Sequence, residues 1–363
     1  MPAYKDPKTG TWYVQFWYKD WTGKQKKKMT RGFKTRREAV QFEADFKAKK
    51  SGCLEMKLKD FVALYMEERF PRLKEVTRET KYYIIRDKIL PYFGEMKMNE
   101  ITSTEIIKWQ NEMLHYQNSD GKPYSKSYLK ELHTQLNAIF NYAVRYYKLP
   151  SNPSAIAGNF GSDNEIEMDF WTTEEYLKFA EQMMEEPPFY YFFQVLYWLG
   201  TRKGEALALN EEDFDLEKGT VTINKTYQVL HSGKAVITSP KTPKSVRTIA
   251  VPTFLCEELK DFFETLPPDR GDSRIFYMLS KSAIQKHIKK GADKAGIKRI
   301  RVHDLRHSHV SLLINLGYSA VAIADRMGHE SVHVTYRYAH LFPSVQRDMA
   351  NRLNDLATRK ENS

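Results

Sequence analysis

Four stretches of this chain concentrate side chains suited to chemistry on a phosphate ester. In "LGTRKGEA" a Gly-Thr turn precedes Arg202, and Lys203, Gly204 and Glu205 open an apolar-rich helix, so the helix start can hold the guanidinium and aim it into a cleft. "VITSPKTPKSVRTIAVP" reads as a β-hairpin whose turn region exposes Lys241, Lys244 and Arg247. In "RVHDLRHSHV" His303 and Arg306 stand three apart and share a face if the segment is helical. "MGHESVHVTYRYAHL" supplies His329, Tyr336, Tyr338 and His340. Residues two apart on a helix point about 200° away from each other, so Tyr336 and Tyr338 cannot both face one reacting group. One of them at most is a nucleophile.

The histidines admit a second chemistry. His303 and His307 are four apart, as are the zinc ligands of H-E-x-x-H proteases, with His309 or His329 as a third ligand. Asp304 stands where that chemistry needs a longer glutamate to reach metal-bound water, and the zinc reading leaves Arg202, Lys241 and Arg306 unexplained. The expectation is therefore no metal and no cofactor. A DNA-binding regulator without catalysis accounts for the charge of the chain but makes Tyr338 and the two arginines coincidental.

These residues need a scaffold, and the pattern of the chain divides it into three. Residues 1–50 read as a strand (11–18), a turn at "DWTG" (20–23), a second strand from Gln25 towards Arg31, and a helix opened by the capping pair Thr35 and Glu38, with Ala39, Phe42 and Phe46 on one face. Lys26, Lys27, Lys28, Arg31 and Arg36 are the candidate DNA contacts of this small sheet, taken as its exposed basic side chains. Trp12, Phe16 and Trp17 are candidates for its core. Residues 56–158 read as a helical bundle, with Leu129, Leu132, Leu136, Ile139, Phe140 and Ala143 on one side of its longest helix and Lys126 as a further DNA contact, as are Lys244 and Arg247 of the later hairpin. "LPSNPSAIAGNFGSDNEIEMD" reads as a connection, and the third region occupies 168–363. The expected fold class is multidomain α+β: a three-stranded N-terminal sheet with a helix, a helical bundle, and a mostly helical domain with a small sheet and hairpin.

Composition agrees with a polyanion partner. The 363 residues carry a net charge of +11, and residues 1–50 hold fourteen Lys/Arg against five Asp/Glu, a local +9. Phosphate neutralisation and counterion release then drive association. No apolar run approaches the ~20 residues of a membrane-spanning helix, and the first residues lack the apolar segment of a signal peptide. A cytoplasmic protein is expected. Cys53 and Cys256 fit no metal or redox spacing and read as structural thiols.

Taken in order, G-x-R-x-G-E at Gly200 to Glu205, the lysine of "PKT" at Lys241, H-x-x-R at His303 to Arg306, G-H at Gly328 and His329, and Y-x-H at Tyr338 to His340 resemble the tyrosine recombinase family, the integrases of phages and mobile elements. The modules upstream resemble those of integrases with an arm-binding sheet (1–50) and a core-binding bundle (56–158). The resemblance implies that Tyr338 is the nucleophile, two residues before His340 and nine after His329, and leaves Tyr336 to packing or DNA contact. It implies that Arg202, Arg306, His303 and His329 neutralise the scissile phosphate, and that Lys241 protonates the leaving 5′ oxygen, with Lys244 the other candidate. Glu205, Asp213 and His340 support, and His307 and His309 are read as helix-surface or outer residues. The product would be a 3′-phosphotyrosine that is rejoined without ATP. Implied partners are double-stranded DNA at core and arm attachment sites, three further copies of the chain in a tetramer, a directionality factor and a host DNA-bending protein. A type IB topoisomerase uses similar chemistry, but the N-terminal module argues against it. The tail helix after Phe342, with Val345, Met349, Leu353 and Leu356 in one stripe, is expected to dock either on its own domain or on a neighbouring protomer.

Overall fold

The protein is described here from a computed structural model, in residues 3–7, 9–19, 25–50, 55–117, 121–162, 169–240, 242–336 and 338. The chain forms two units, residues 1–165 and 166–363.

The first unit begins with a three-stranded antiparallel sheet in the order β1 (Tyr4–Lys5), β2 (Trp12–Lys19), β3 (Gln25–Phe33), followed by helix α1 (Arg36–Lys50). The third strand of the expected sheet is β1, whose two residues are too few to show a period and so could not be placed from the sequence. The "DWTG" turn lies outside the described residues. Thr35 and Glu38 close their capping box: Glu38 N donates to Thr35 Oγ1 (3.2 Å) and Thr35 N to Glu38 Oε2 (3.4 Å). Val14, Phe16 and Ala39 are buried, with Phe42 and Phe46 packed against them.

Strand register divides the expected basic set. Phe16 pairs with Lys28 and Tyr18 with Lys26, whereas Trp17 pairs with Lys27 and Tyr13 with Arg31. Cross-strand partners share a face, so Lys26 and Lys28 lie on the side covered by α1, and Lys28 Nζ sits 4.9 Å over the Phe46 ring. Lys27 and Arg31 lie on the open face over Trp17 and Tyr13, at 5.9 and 5.6 Å. Lys26, Lys27, Arg31 and Arg36 are exposed as expected and Lys28 is half-buried, but those of β3 divide between two faces. A strand sends alternate side chains to opposite faces, so three consecutive lysines cannot share one. Trp17, 59% exposed, belongs to the open face rather than to the core.

The bundle comprises α2 (Leu58–Arg69), α3 (Glu75–Ile84) running on through a π-helical turn (Ile85–Ile89) into α4 (Leu90–Phe93), α5 (Ser103–His115), α6 (Lys126–Tyr147) and α7 (Pro153–Ala157). All six residues assigned to the inner side of α6 are buried. Lys126, the first residue of α6, is exposed. Part of the expected connection is folded instead. Asn152 caps α7 by accepting from Ser154 N (2.8 Å) and Ala155 N (3.1 Å), and donates to Asn137 Oδ1 (2.7 Å) and Asn141 Oδ1 (2.8 Å) of α6. Asn followed by Pro is a helix start as well as a loop signal, and burial against α6 decides between them.

The second unit is built around α9 (Pro187–Leu199), which buries Phe192, Phe193, Val195, Leu196 and Leu199 and stacks Tyr197 on Tyr176 of α8 (Thr173–Met183) with ring centres 3.6 Å apart. After the single turn α10 (Lys203–Ala206), β4 (Phe214–Asp215), β5 (Thr220–Ile223) and β8 (Arg247–Ala250) make a three-stranded antiparallel sheet, order β4-β5-β8. Strands β6 (Thr226–Val229) and β7 (Ala235–Thr238) form a separate hairpin. The hairpin expected across "SPKTPKS" is thereby corrected, because its two flanking runs belong to different sheets. Its Pro-rich centre holds a 3-10 turn, Pro243–Ser245. The real hairpin turn is "LHSGK", where Gly233 adopts φ +83° and Leu230 N bonds to Lys234 O (2.9 Å). Helices α11 (Thr253–Glu264), α12 (Lys281–Lys294), α13 (Asp304–Asn315), α14 (Ala320–Met327) and the short α15 (His333–Tyr336) complete the unit, with α13 packed on α9. Among the described residues no helix is long and apolar enough to cross a membrane.

Candidate active site

The loop after α9 carries the first arginine. Gly200 ends α9 at φ +62°, and a Cβ there would stand 2.5 Å from His309 Cδ2 and 2.8 Å from Met327 Sδ, so glycine is required twice over. Arg202 precedes α10 and is tied back by Glu205, whose Oε2 accepts from Arg202 N (3.0 Å) and Oε1 from Arg202 Nη1 (2.7 Å). The Arg202 side chain remains 38% exposed.

Glu205 is the anionic centre of the site, its side chain 3% exposed. It also accepts from Arg247 Nη2 at 3.0 Å. Burial pushes its carboxyl pKa up, but Arg247 and Arg202 outweigh burial and leave it below the ordinary glutamate value. Arg247, read from sequence as an exposed DNA contact, has a side chain only 6% exposed. Its Nε donates to Arg326 O (2.9 Å) and its Nη1 to Ser245 O (3.0 Å), so the structure makes it a brace between Glu205 and the end of α14. The expectation failed because Arg247 begins β8 beside the site, not at a hairpin tip.

Arg306, on α13, is 4% exposed and donates through Nη1 to Gly200 O (2.6 Å) and through Nη2 to Met327 O (2.6 Å). It thus stitches α13 to the two glycine-terminated helix ends. Burial, and next the charge of Arg202, lower its pKa to about 9, which still leaves it charged at neutral pH. His303 immediately precedes α13 without a side-chain capping bond; its surface is exposed, but partial desolvation, followed by the charge of Arg306, lowers its pKa. Gly328 ends α14 at φ +63°, where a Cβ would meet Lys244 O at 2.9 Å, and His329 follows, 8% exposed, with Nδ1 2.9 Å from Thr335 Oγ1. Burial and the guanidiniums of Arg306 and Arg202 bring the His329 pKa down to about 3. Both imidazoles are therefore neutral hydrogen-bonding groups at pH 7.

The two tyrosines separate. Tyr336 is 53% exposed, while Tyr338 is 4% exposed, packs with Val310, Ile314, Ile323 and Met327, and hydrogen-bonds through its hydroxyl to His307 Nδ1. Of His307 and His309, read as surface or outer residues, neither lies on the surface: His309 is an outer residue behind Arg326, and His307 touches Tyr338 itself. His307 is half-buried against Tyr338, and His309, 2% exposed, accepts from Arg326 Nε at 3.2 Å. The repeated polar letters of "HDLRHSH" suggest a solvent face, but α13 buries residues on all sides, including Asp304, Ser308 and Ser311. Asp213 bonds Asn210 N (2.7 Å) and Lys225 Nζ (2.7 Å), a local structural role. Arg326 was not assigned to the site from sequence, and Arg247 was assigned only as a DNA contact. The signal available was their basic charge beside the motif residues.

Arg202 and Arg247 thus share one buried carboxylate, Glu205, while Arg306 and Arg326 are held mainly by backbone carbonyls, beside neutral imidazoles and a phenol. Such a site attracts and clamps an oxyanion. Among the described residues no group of three His, Cys, Asp or Glu could hold a metal ion. Lys241, His340 and the tail helix after Phe342 lie outside the described residues, as does Cys53; Lys244 is exposed beside the Gly328 loop.

Comparison with known proteins gives the context of this arrangement. Residues 2–50 match the arm DNA-binding domain model, 57–114 the N-terminal SAM-like domain of phage integrases, and 169–344 the phage integrase family. The ICEBs1 integrase of Bacillus subtilis is 30% identical over 343 residues, which span 89% of this chain and 90% of the relative. The putative prophage phiRv2 integrase of Mycobacterium tuberculosis is 26% identical over 296 residues, 80% of this chain and 76% of that one. In fold, the chain resembles the Tn1549 transposon integrase in complex with transposon right-end DNA (TM-score 0.65, 17% identity, 83% of this chain and 100% of that one). It also resembles a lambda integrase dimer bound to a core site (TM-score 0.58, 18% identity, 93% and 94%). On these matches, with the arginines, histidines and tyrosine gathered in one cluster, the chain belongs to the phage integrase family of tyrosine recombinases, the site-specific DNA recombinases.

Proposed function

We propose that this recombinase cleaves DNA with Tyr338, which attacks the scissile phosphorus and becomes a 3′-phosphotyrosine while the 5′ oxygen leaves. The observation that carries the reading is the gathering of Arg202, Arg306, His303, His329 and the buried Tyr338 around α13. In this reading the guanidiniums of Arg202 and Arg306 bind the non-bridging oxygens, where charge grows in the transition state. The neutral imidazoles of His303 and His329 add hydrogen bonds. Glu205 keeps Arg202 in place, and Lys241 gives its proton to the 5′ oxygen, with Lys244 as the alternative donor. The phosphotyrosine conserves the energy of the broken ester, so a 5′ hydroxyl from a second duplex displaces Tyr338 without ATP.

The division into an arm-type DNA-binding domain (1–50), a core-binding domain (56–158) and a catalytic domain (168–363) goes with this activity. The open sheet face with Lys27, Arg31, Tyr13 and Trp17 supports DNA contact by the first. A related fold is described as a lambda integrase tetramer bound to a Holliday junction, and four protomers on two duplexes is the assembly we infer here. Double-stranded DNA at attachment sites, with a directionality factor and a host bending protein, completes the set of partners, acting in the bacterial cytoplasm. The test is trapping on a nicked duplex carrying the element's own attachment core. Wild-type chain and Tyr336→Phe should form a covalent protein–DNA adduct, and Tyr338→Phe should form none. An adduct with Tyr338→Phe, or its loss with Tyr336→Phe, overturns the assignment. Relaxation of plasmids lacking an attachment site, without recombinants from paired sites, would instead mark a topoisomerase.

A further inference from the structure

The cleavage step above releases a phenolic proton and names no group to receive it. His307 stands where such a group is needed. It follows Arg306 on α13, its Nδ1 hydrogen-bonds to the Tyr338 hydroxyl, and the two rings lie 5.6 Å apart. On its far side Nε2 is 3.9 Å from Asp304 Oδ1. That carboxylate, 1% exposed, is fixed by Arg301, which donates through its backbone N (2.8 Å), Nε (3.1 Å to Oδ1) and Nη2 (2.7 Å).

A neutral imidazole carries one proton, on either nitrogen. The negative charge of Asp304 favours that proton on Nε2. Nδ1 then offers its lone pair to the Tyr338 O–H, the arrangement of a base rather than of a donor to the phenol oxygen. The other groups facing His307 are His303, with ring centres 5.0 Å away, and the charges of Arg301 and Arg306; His329 also lies within its electrostatic reach. Burial, and then His303, lower the His307 pKa to about 4 while Asp304 raises it, so the ring is unprotonated and able to accept at neutral pH. A scissile phosphate brings a negative charge beside this group of cations and imidazoles. Its arrival raises the proton affinity of His307 at the moment the phenol must ionise.

We propose that His307 is the general base of DNA cleavage, taking the proton of Tyr338 onto Nδ1 as Tyr338 Oη bonds to phosphorus, with Asp304 steadying the Nε2–H of the resulting imidazolium. This rests on Tyr338 being the nucleophile. The bond from phosphorus to the 5′ oxygen breaks, and that oxygen takes its proton from the separate acid, so one proton enters the site's base as another leaves its acid. In rejoining, the 5′ hydroxyl attacks the phosphotyrosine and returns a proton to the acid. The phenolate oxygen recovers its own from His307.

The experiment is single-turnover adduct formation by the full-length chain on the nicked attachment-core duplex. His307→Ala and His307→Asn should each slow it by about 10²-fold or more, with DNA binding unchanged. Asn keeps a polar contact near Nδ1 but cannot take a proton, so an Asn variant within threefold of wild type would make His307 merely structural and overturn the proposal. Replacing Tyr338 by a fluorinated tyrosine whose phenol is ionised near neutral pH should restore most of the rate to either variant. Failure to restore it also counts against the base. Should both variants misfold, the fluorotyrosine chain with His307 intact decides: the rising limb of its pH–rate profile should move to the phenol's own ionisation, and an unmoved limb overturns the role. An adduct formed by Tyr338→Phe would instead break the nucleophile assignment and leave His307 without its substrate, a distinct outcome.

Discussion

The most constrained side chain in the site is Glu205, because one buried carboxylate serves two arginines of opposite purpose. Arg202 is partly exposed and Arg247 is enclosed, and both point donors at the same group. Removing a partner from such a buried pair leaves charge uncompensated and costs on the order of 3–5 kcal/mol. Glu205→Ala should therefore lower the urea midpoint of the unit that contains it, followed by the fluorescence of Trp171 and Trp198, and should cut adduct formation more than tenfold because Arg202 loses its tether. An unchanged midpoint would show that Arg247 is held well enough by the carbonyls of Arg326 and Ser245 alone.

At the scale of elements, two helix ends set the geometry of the second arginine. Gly200 closes α9 and Met327 precedes the Gly328 cap of α14, and the carbonyls of Gly200 and Met327 receive Arg306. Glycine matters at these positions for space as well as for its left-handed backbone. Gly328→Ala must push against Lys244 O, whereas Gly233→Ala in the β6–β7 turn meets nothing within 4 Å. The second substitution should cost about 1–2 kcal/mol from backbone strain alone. The first should cost more and also slow adduct formation, measured by thermal melting and single-turnover cleavage of the two variants. Equal losses would mean that the 242–246 segment yields without resistance.

At the scale of the molecule, buried neutral histidines link the stability of the second unit to pH. The pKa values of His307, His309 and His329 fall to about 4, 3 and 3, from 6.5 in the ordinary state, mainly through burial. Between those values the unfolded chain binds more protons than the folded one, so stability rises with pH and is lost as pH falls below about 6.5. From pH 6.5 to 5 most carboxylates remain ionised, and the loss in that window belongs to the histidines. The melting temperature of the DNA-free chain should fall steadily across it. A flat profile would mean that these rings are hydrated or already charged.

Much of this was legible in the chain itself. The order and spacing of Arg202, His303, Arg306, His329 and Tyr338 identified the chemistry, since each residue type has a specific use at a phosphate. The capping box of α1 and the helical periodicity of α6 were legible because they are local, written within a few residues. What was not legible depends on pairing across distance. The face taken by each of Lys26, Lys27 and Lys28 follows from strand register, and the partner of β8 is β5 rather than the adjacent β7. Arg247 reads as a surface cation until Glu205 and the end of α14 enclose it. His307 reads as one more polar residue of α13 until Tyr338, thirty-one residues on, lays its hydroxyl against the ring. Spacing along a chain specifies which groups are present. Only packing determines which are buried together, and burial beside a chosen neighbour is what changes a side chain's charge, its proton and its task.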